Sequence, residues 1–494
     1  MFHIVIRRKL VYCITSNKTE KGAVQMTMEN KAPRPAAGPE GNPLGYAPIG
    51  GLILKYAIPA IISMLVTAAY NITDQIFIGN VIGLYGNGAT NVAFPLVTLC
   101  AALAQITGIG SASNFNINMG AGNKDDAARY VGVGLTMMVT AGVVVAAAVL
   151  VFLKPLMIAF GATDNVLPLA VEYTGITAYG IPFLIFSNAC SHLIRADGRP
   201  TYSMICTITG AAINVFLDYL FMFPFKMGIA GAAYATIIGQ IISGAMVLQY
   251  MLRFRSVKIN RSFLIPKLKF VSGIVKLGTA NFINQMIMTV VQITMNNVLT
   301  RYGALSVYGG DIPLAVAGII AKINTIFAAL AVGTALGCQP IHGFNTGAKK
   351  YDRVKATYKR ALIFVLAFSI VAFTCFQLFP RQIVSVFGGG SDLYFEFSER
   401  YMRIYMMMIC IFGIQPLTVN FFTASGKAKQ GIFLSLTRQG LFLLPLLLIL
   451  PLFFGIDGVL YSGPIADFLA VALCLTLVGF EMRRITALQR EQQL

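Results

Sequence analysis

The stretch KYAIPAIISMLVTAAYNITDQIFIGN, Lys55 to Asn80, decides the fold. No charged side chain stands between Lys55 and Asp74. A run of about 20 apolar residues is the length of helix that crosses a hydrocarbon layer. Hydrocarbon offers no partner to backbone N–H and C=O groups, so such a run must bond to itself as a helix. The stretch also recurs. KYAIPAIISMLVTAAYNI from Lys55 is echoed by KLGTANFINQMIMTVVQI from Lys276, an offset of 221. GSASNFNINMGAGNK from Gly110 is echoed by GCQPIHGFNTGAKKY from Gly337, and GIAGAAYAT from Gly228 by GIDGVLYSG from Gly455, both at an offset of 227. The six extra residues belong in the loop near RYGALSVYGGD. The chain therefore reads as two homologous halves.

Composition extends that reading to the whole length. The 494 residues are 56% hydrophobic and 12% charged, with mean hydropathy +0.72. Soluble domains carry about 25% charged residues. Apolar runs predict twelve membrane helices, near 53–79, 91–119, 131–153, 167–193, 200–223, 229–251, 272–300, 313–345, 359–379, 400–424, 430–452 and 457–480. A β-barrel would show short alternating segments instead. The fold class is thus all-α and membrane-embedded, with two six-helix lobes. Six is even, so the repeat is parallel, and transporters are often built this way.

The net charge of +19 does not indicate nucleic acid. Lys and Arg cluster in loops after even-numbered helices, which marks cytoplasmic loops and places both termini in the cytoplasm. The domains read as a disordered cytoplasmic extension at 1–50, a first lobe at 51–252, a basic cytoplasmic linker at 253–271, a second lobe at 272–482 and a cytoplasmic tail at 483–494. Met26 or Met28 is a candidate natural start, because composition changes abruptly there. The eight cysteines form no CxxC or metal spacing and read as small core residues. His3, His192 and His342 form no metal cluster. No phosphate loop is present, so an ATP-driven pump is excluded.

An ionisable group in the membrane is a functional site by default, because insertion alone costs about 2.5–3.5 kcal/mol. Asp74 is one. Tyr70 and Asn71 lie four and three residues before it, on the same helix face. Pro59, further back, should kink or loosen that helix. Asp218, in INVFLDYLFMF, is the second, with Asn214 one turn before it. Thr236, in AAYATIIG, adds a hydroxyl from the next helix. Two carboxylates, a carboxamide and a hydroxyl are hard oxygen donors suited to a small cation. Desolvation and like charge both oppose two ionised carboxylates in one site. The same set would serve Na⁺ or a proton.

The repeat sharpens this assignment. Asp74 aligns with Met295, and Asn214, Asp218 and Thr236 align with Leu441, Pro445 and Gly463. A structural role would tend to survive in both halves, so the first lobe is expected to hold a cation site that the second lacks. Each polar group also has a plainer reading: Asp74 or Asp218 as a helix end or an interface partner. Asp467 and Lys322 read either as a structural pair in the second half or as cavity residues. Glu172 and Glu399, repeat mates near helix ends, are explained by solvation. The run YMRIYMMMIC reads as bundle packing before a substrate surface, although flexible Met side chains suit promiscuous binding.

The chain resembles the multidrug and toxic compound extrusion family of bacterial cation-coupled efflux transporters. The resemblance covers about residues 45–485 and rests on AIPAIISMLVTAAYNITDQIFIGN, MGAGNKDDAARYVG, LIRADGRP, INVFLDYLFMF, GIAGAAYAT and QPIHGFNTGAKKYDRV together. It implies a V-shaped pair of six-helix lobes that exchange amphipathic, cationic drugs for Na⁺ or H⁺. It also implies a multi-pass monomer in the bacterial inner membrane, with no cofactor beyond the coupling ion. By resemblance, Asp74, Asn214, Asp218 and Thr236 form the cation site, a site for Na⁺ or a proton, Tyr70 and Asn188 line the first-lobe cavity, and Pro59 bends the first helix. Asn71, on the Asp74 helix face, is read as lining the same cavity. Some members use acidic residues of the second lobe. Helices 7 and 8 carry no matching carboxylates here, and Asp467 alone leaves that option open.

Three rivals stand beside this reading. A lipid or polysaccharide-precursor flippase would favour a cationic cavity, for which Lys322 and Arg301 are the candidates. A major-facilitator transporter would carry a basic motif between helices 2 and 3, where this chain has GAGNKDDAAR. A membrane-embedded enzyme needs a nucleophile–base or metal constellation, and the membrane segments show none.

Overall fold

A computed structural model describes residues 41–386 and 391–492. The described chain folds as α1 (Ile49–Val81), α2 (Tyr85–Gly120), α3 (Lys124–Val151), α4 (Leu167–Ala196), α5 (Pro200–Met222), α6 (Gly228–Met251), α7 (Leu268–Ala304), α8 (Ile312–Gly347), α9 (Tyr351–Leu378), α10 (Asp392–Tyr405 with Ile409–Ala424), α11 (Ala428–Phe454) and α12 (Ile456–Glu491). All are long and apolar enough to span a membrane, α10 when its two pieces, bent by 43°, count as one span. Several helices run past their apolar cores. α3 begins at Lys124, seven residues before the apolar run read from sequence, because Asp125 and Asp126 suit the positive end of the helix dipole. α9 repeats this with Asp352, the repeat mate of Asp125.

The repeat extends to the distortions. α4 is interrupted by a 3₁₀ turn at Ala178–Gly180, just before Pro182, which has no N–H to give the helical ladder. The repeat mates of that turn are residues 405–407, and α10 breaks in the same place, at Met406–Met408. The sequence reading of one continuous helix over 400–424 is therefore corrected. α10 starts at Asp392, where the Ser391 hydroxyl accepts from the Tyr394 N–H at 3.3 Å, and it is interrupted at the methionine run. No proline marks this break. The Gln377 side chain on α9 instead donates to the Arg403 carbonyl at 3.0 Å, offering a partner to backbone next to the break. α11 carries a π-helical turn at Thr437–Leu443. Pro445 follows it and cannot donate to the Leu441 carbonyl, so the ladder shifts register.

The apolar core divides into parts that reveal the shape. One cluster draws residues from both lobes, among them Tyr56, Ala57, Phe115, Ile341, Phe344 and Phe421. These lie toward the ends of α1, α2, α8 and α10 next to the basic loops. Towards the opposite end, each lobe has its own cluster: Ile78, Ala89, Met157 and Ile229 in the first, and Met295, Phe327, Tyr401 and Val459 in the second. The lobes thus share a core at the basic end and form separate cores at the other, the arrangement of a V.

Glycines allow the shared end to close. A Cβ on Gly120 of α2 would run into the Phe344 backbone of α8, and one on Gly347 of α8 into the Ile117 backbone of α2. These contacts exchange under the 227-residue repeat, so the lobes meet across a pseudo-two-fold axis. Without a hydrophobic drive between helices in lipid, close backbone approach at small residues supplies the packing. Gly120→Leu and Gly347→Leu are each expected to destabilise the protein by roughly 1–3 kcal/mol through overpacking. Gly51→Ala, where nothing lies within 4 Å of the new Cβ, should be neutral or slightly stabilising, since Ala favours helix by about 1 kcal/mol. Melting temperatures of the three purified variants check both signs.

The extension also departs from its expected disorder. Residues 1–40 lie outside the described residues, but 41–48 are ordered, with a 3₁₀ turn at Pro43–Gly45. The Leu44 side chain is buried. Its carbonyl accepts from Asn345 Nδ2 at 2.9 Å and Arg353 Nη2 at 3.2 Å, and the Ala47 carbonyl accepts from Arg353 at 2.6 Å. Composition suggested a loose Pro/Gly segment, whereas donors on α8 and α9 fasten it to the second lobe.

Candidate functional site

Four helices of the first lobe converge on one polar cluster. α1 supplies Tyr70 and Asp74, α5 supplies Asn214 and Asp218, α6 supplies Thr236, and α4 supplies Tyr173. The i, i+4 spacing of Tyr70 and Asp74, and of Asn214 and Asp218, turns each pair to a common face. Asp218 is completely buried and Asn214 nearly so, while Asp74 is half-buried. The Asn214 carboxamide donates to the Thr236 hydroxyl at 3.4 Å. Tyr173 lies near Thr236, and both tyrosines lie close to the two carboxyl groups. The Asp74 and Asp218 carboxyls lie close to each other.

Yet the buried carboxyl oxygens of this cluster find no donor. Asp74 Oδ1, both Asp218 oxygens and Asn214 Oδ1 are buried with no donor bonded to them. Two ionised carboxylates offer each other only acceptors. A proton shared between them, or a cation coordinated by them, supplies what the arrangement is missing. Orphaned oxygens of this kind carry a desolvation cost of about 1–3 kcal/mol each, so the site has reason to take one. Asp74, Asn214, Asp218 and Thr236, read from sequence as one cation site, are therefore brought together in the fold.

A cavity of about 100 Å³ adjoins the cluster. Tyr70, Asn214 and Thr236 line it while also bordering the carboxyls, so they form the wall between the two. Asn188 lines the cavity from α4. Asn71 does not: it is exposed on α1 and is absent from the cavity lining. Pro59 lies about four turns before Asp74 in α1, which continues through it unbroken to Val81. The Ser63 hydroxyl donates to the Pro59 carbonyl at 2.8 Å. Sequence reasoning missed Tyr173 and Gln240. Gln240 lines the cavity with its Oε1 unpartnered, and its place one turn after Thr236 was the available signal.

The second lobe fills the equivalent space with core. Met295, the mate of Asp74, is buried, and its sulfur accepts from the Tyr401 hydroxyl at 3.9 Å. Gly463, the mate of Thr236, packs against the Tyr405 ring. Asp467 does not pair with Lys322, which is exposed on α8. Its partner is Arg438, in the π-helical turn of α11, through a buried ion pair. The Arg438 guanidinium also stacks over the Phe412 ring, 4.6 Å from its centroid. Arginine is the better partner because its planar fork binds carboxylate and stacks on an aromatic face at once. A lone Arg deep in the apolar run of α11 was the signal that sequence reasoning overlooked.

Comparison with known proteins places these features. The MatE family model matches twice, at residues 59–220 and 281–449, one match in each lobe. The multidrug export protein MepA of Staphylococcus aureus is 22% identical over 441 residues, covering 89% of this chain and 96% of its own length. A MOP-superfamily transporter of Pyrococcus furiosus, described as having a binding pocket of reversed polarity, superposes with a TM-score of 0.83 at 21% identity, over 90% of this chain and 98% of that one. An outward-facing multidrug-resistance MATE transporter superposes with a TM-score of 0.82 at 20% identity, over 90% and 97%. With the family model spanning well over half its length, a single all-helical fold and two matched lobes, the chain belongs to the MatE family of multi-pass membrane transporters that includes multidrug exporters.

Proposed function

We propose that this chain is a secondary antiporter that exports amphipathic, cationic compounds in exchange for Na⁺ or H⁺ entering through the Asp74–Asp218 cluster. The observation that carries the reading is the pair of facing carboxyls without donors, walled off from a polar cavity by Tyr70, Asn214 and Thr236. A cation arriving from outside neutralises the pair. α1 then repacks along the stretch after Pro59, and the cavity loses affinity for a cationic guest. Competition between ion and compound couples the two fluxes.

Size supports the assignment of roles. Drug-sized ligands occupy about 300–1,000 Å³, and the cavity here is about 100 Å³. In this conformation it suits a hydrated ion, and the exported compound requires it to widen. The separate cores at one end and shared core at the other describe a state open opposite the basic loops. With those loops in the cytoplasm, that state faces outward across a bacterial inner membrane, with both termini inside. The chain is expected to act as a monomer.

The flippase alternative needs a basic cavity. Arg438 is committed to Asp467, and the first-lobe cavity has no basic lining residue. Dye efflux from proteoliposomes tests the proposal, with Na⁺ and proton gradients imposed separately. Efflux driven by one gradient supports it and names the ion. Absence of efflux under both, from protein shown to be folded, contradicts it and turns the assay to labelled lipid precursors.

A further inference from the structure

We infer that the linker between the lobes forms a binding site for an anionic phospholipid of the leaflet at the basic end. This inference stands apart from the export reading, because it uses neither the carboxyl cluster nor its cavity.

The linker is built into the first lobe. Asp197, in the loop between α4 and α5, accepts from the Arg255 and Ser256 backbone N–H groups at 3.1 and 2.9 Å, and from the Tyr250 hydroxyl at 2.7 Å. Further along, the Thr136 hydroxyl of α3 donates to the Leu264 carbonyl at 2.6 Å. Phe263 lies against Gly132, where any Cβ would collide with it, and beneath the Arg129 guanidinium at 5.4 Å. Anchored at both points, the segment walls a groove of about 750 Å³ against α3 and α6.

The lining of the groove has two characters. Val139, Leu248 and Leu252 line it and are exposed, so on a membrane protein they face acyl chains. Lys258, Asn260 and Arg261 line it from the linker. Neither Lys258 nor Arg261 has an ion pair among the described residues, and no acidic residue lines the groove. Two uncompensated positive charges beside a carboxamide, over an apolar trough, match a phosphate diester carrying two chains. A basic pocket between helices on the cytoplasmic side is suited to an acidic headgroup. A lipid held there ties the linker to the leaflet.

The chain contains no tryptophan, which makes the test clean. Leu248→Trp places a reporter in the groove. Leu475→Trp places one at its repeat mate on α12, which is equally exposed at 48% but has no linker beside it. In nanodiscs, quenching by brominated phosphatidylglycerol is compared with quenching by brominated phosphatidylcholine. The expected result is a several-fold preference for phosphatidylglycerol at 248, none at 475, and loss of the preference in Lys258→Gln/Arg261→Gln. Each basic residue near the surface accounts for about a fivefold effect. Equal quenching by the two lipids at 248 would overturn the inference. So would a preference at 475 that matches the one at 248, which reports general surface charge. Displacement of the brominated lipid by inorganic phosphate at constant ionic strength would also overturn it, assigning the site to a soluble phosphate.

Discussion

Asp218→Asn is expected to abolish gradient-driven efflux while leaving the protein folded. The side chain is completely buried beside Asp74, and its two oxygens have no donor. Asn keeps the shape but cannot ionise, so the site stays in the state a bound proton or cation would otherwise create. A compound that competes with the cation then sees no change when the gradient is applied. The coupling lost is of the usual order, about 1–3 kcal/mol, or roughly 5–150-fold in affinity between the two states. Stability should hold or rise, since an uncompensated buried charge is removed. Thr236→Val makes a useful contrast. It removes one hydroxyl from the proposed cation site and leaves Asn214 without its acceptor, so it should weaken coupling without abolishing it. Proteoliposome efflux at matched protein levels, with melting temperatures alongside, reads all three properties.

The second large effect concerns the other lobe. Arg438→Met should be strongly destabilising, by about 3–5 kcal/mol, because it leaves Asp467 as a lone charge in the membrane core. The double variant Arg438→Met/Asp467→Leu should recover most of that loss, since a buried ion pair exchanged for apolar side chains is often neutral. Thermal melting of the two single variants and the double one gives the coupling energy directly. If the double variant exports compounds at a normal rate, the pair is structural. If it is stable but inactive, Asp467 or Arg438 takes part in transport and the second lobe is more than scaffold.

The fold was legible in the sequence because its strongest determinants are local. Apolar run length sets the number of spans, and the echo of Lys55–Ile72 at Lys276–Ile293 sets two lobes. That Asp74 and Asp218 matter was legible because each is costly wherever it lies in a membrane, whereas the convergence of α1, α5 and α6 on one cluster was implied only by the family resemblance. What depended on distant partners was less visible. The break in α10 has no proline and involves Gln377 on another helix. The partner of Asp467 was misread because Lys322 and Arg438 are equally plausible by position, and only packing on Phe412 separates them. Residues 41–48 looked loose because nothing in their own sequence shows the donors waiting on α8 and α9.

We propose that cation and exported compound compete through the Asp74–Asp218 cluster. Equilibrium binding of a fluorescent cationic substrate to purified protein in nanodiscs, titrated with Na⁺ at fixed pH and with protons at fixed Na⁺, tests it most directly. The account expects substrate affinity to fall as one of these cations rises, and expects that dependence to vanish in Asp74→Asn/Asp218→Asn. Substrate affinity in the unaltered protein that ignores both cations, or a dependence that survives in the double variant, would contradict it.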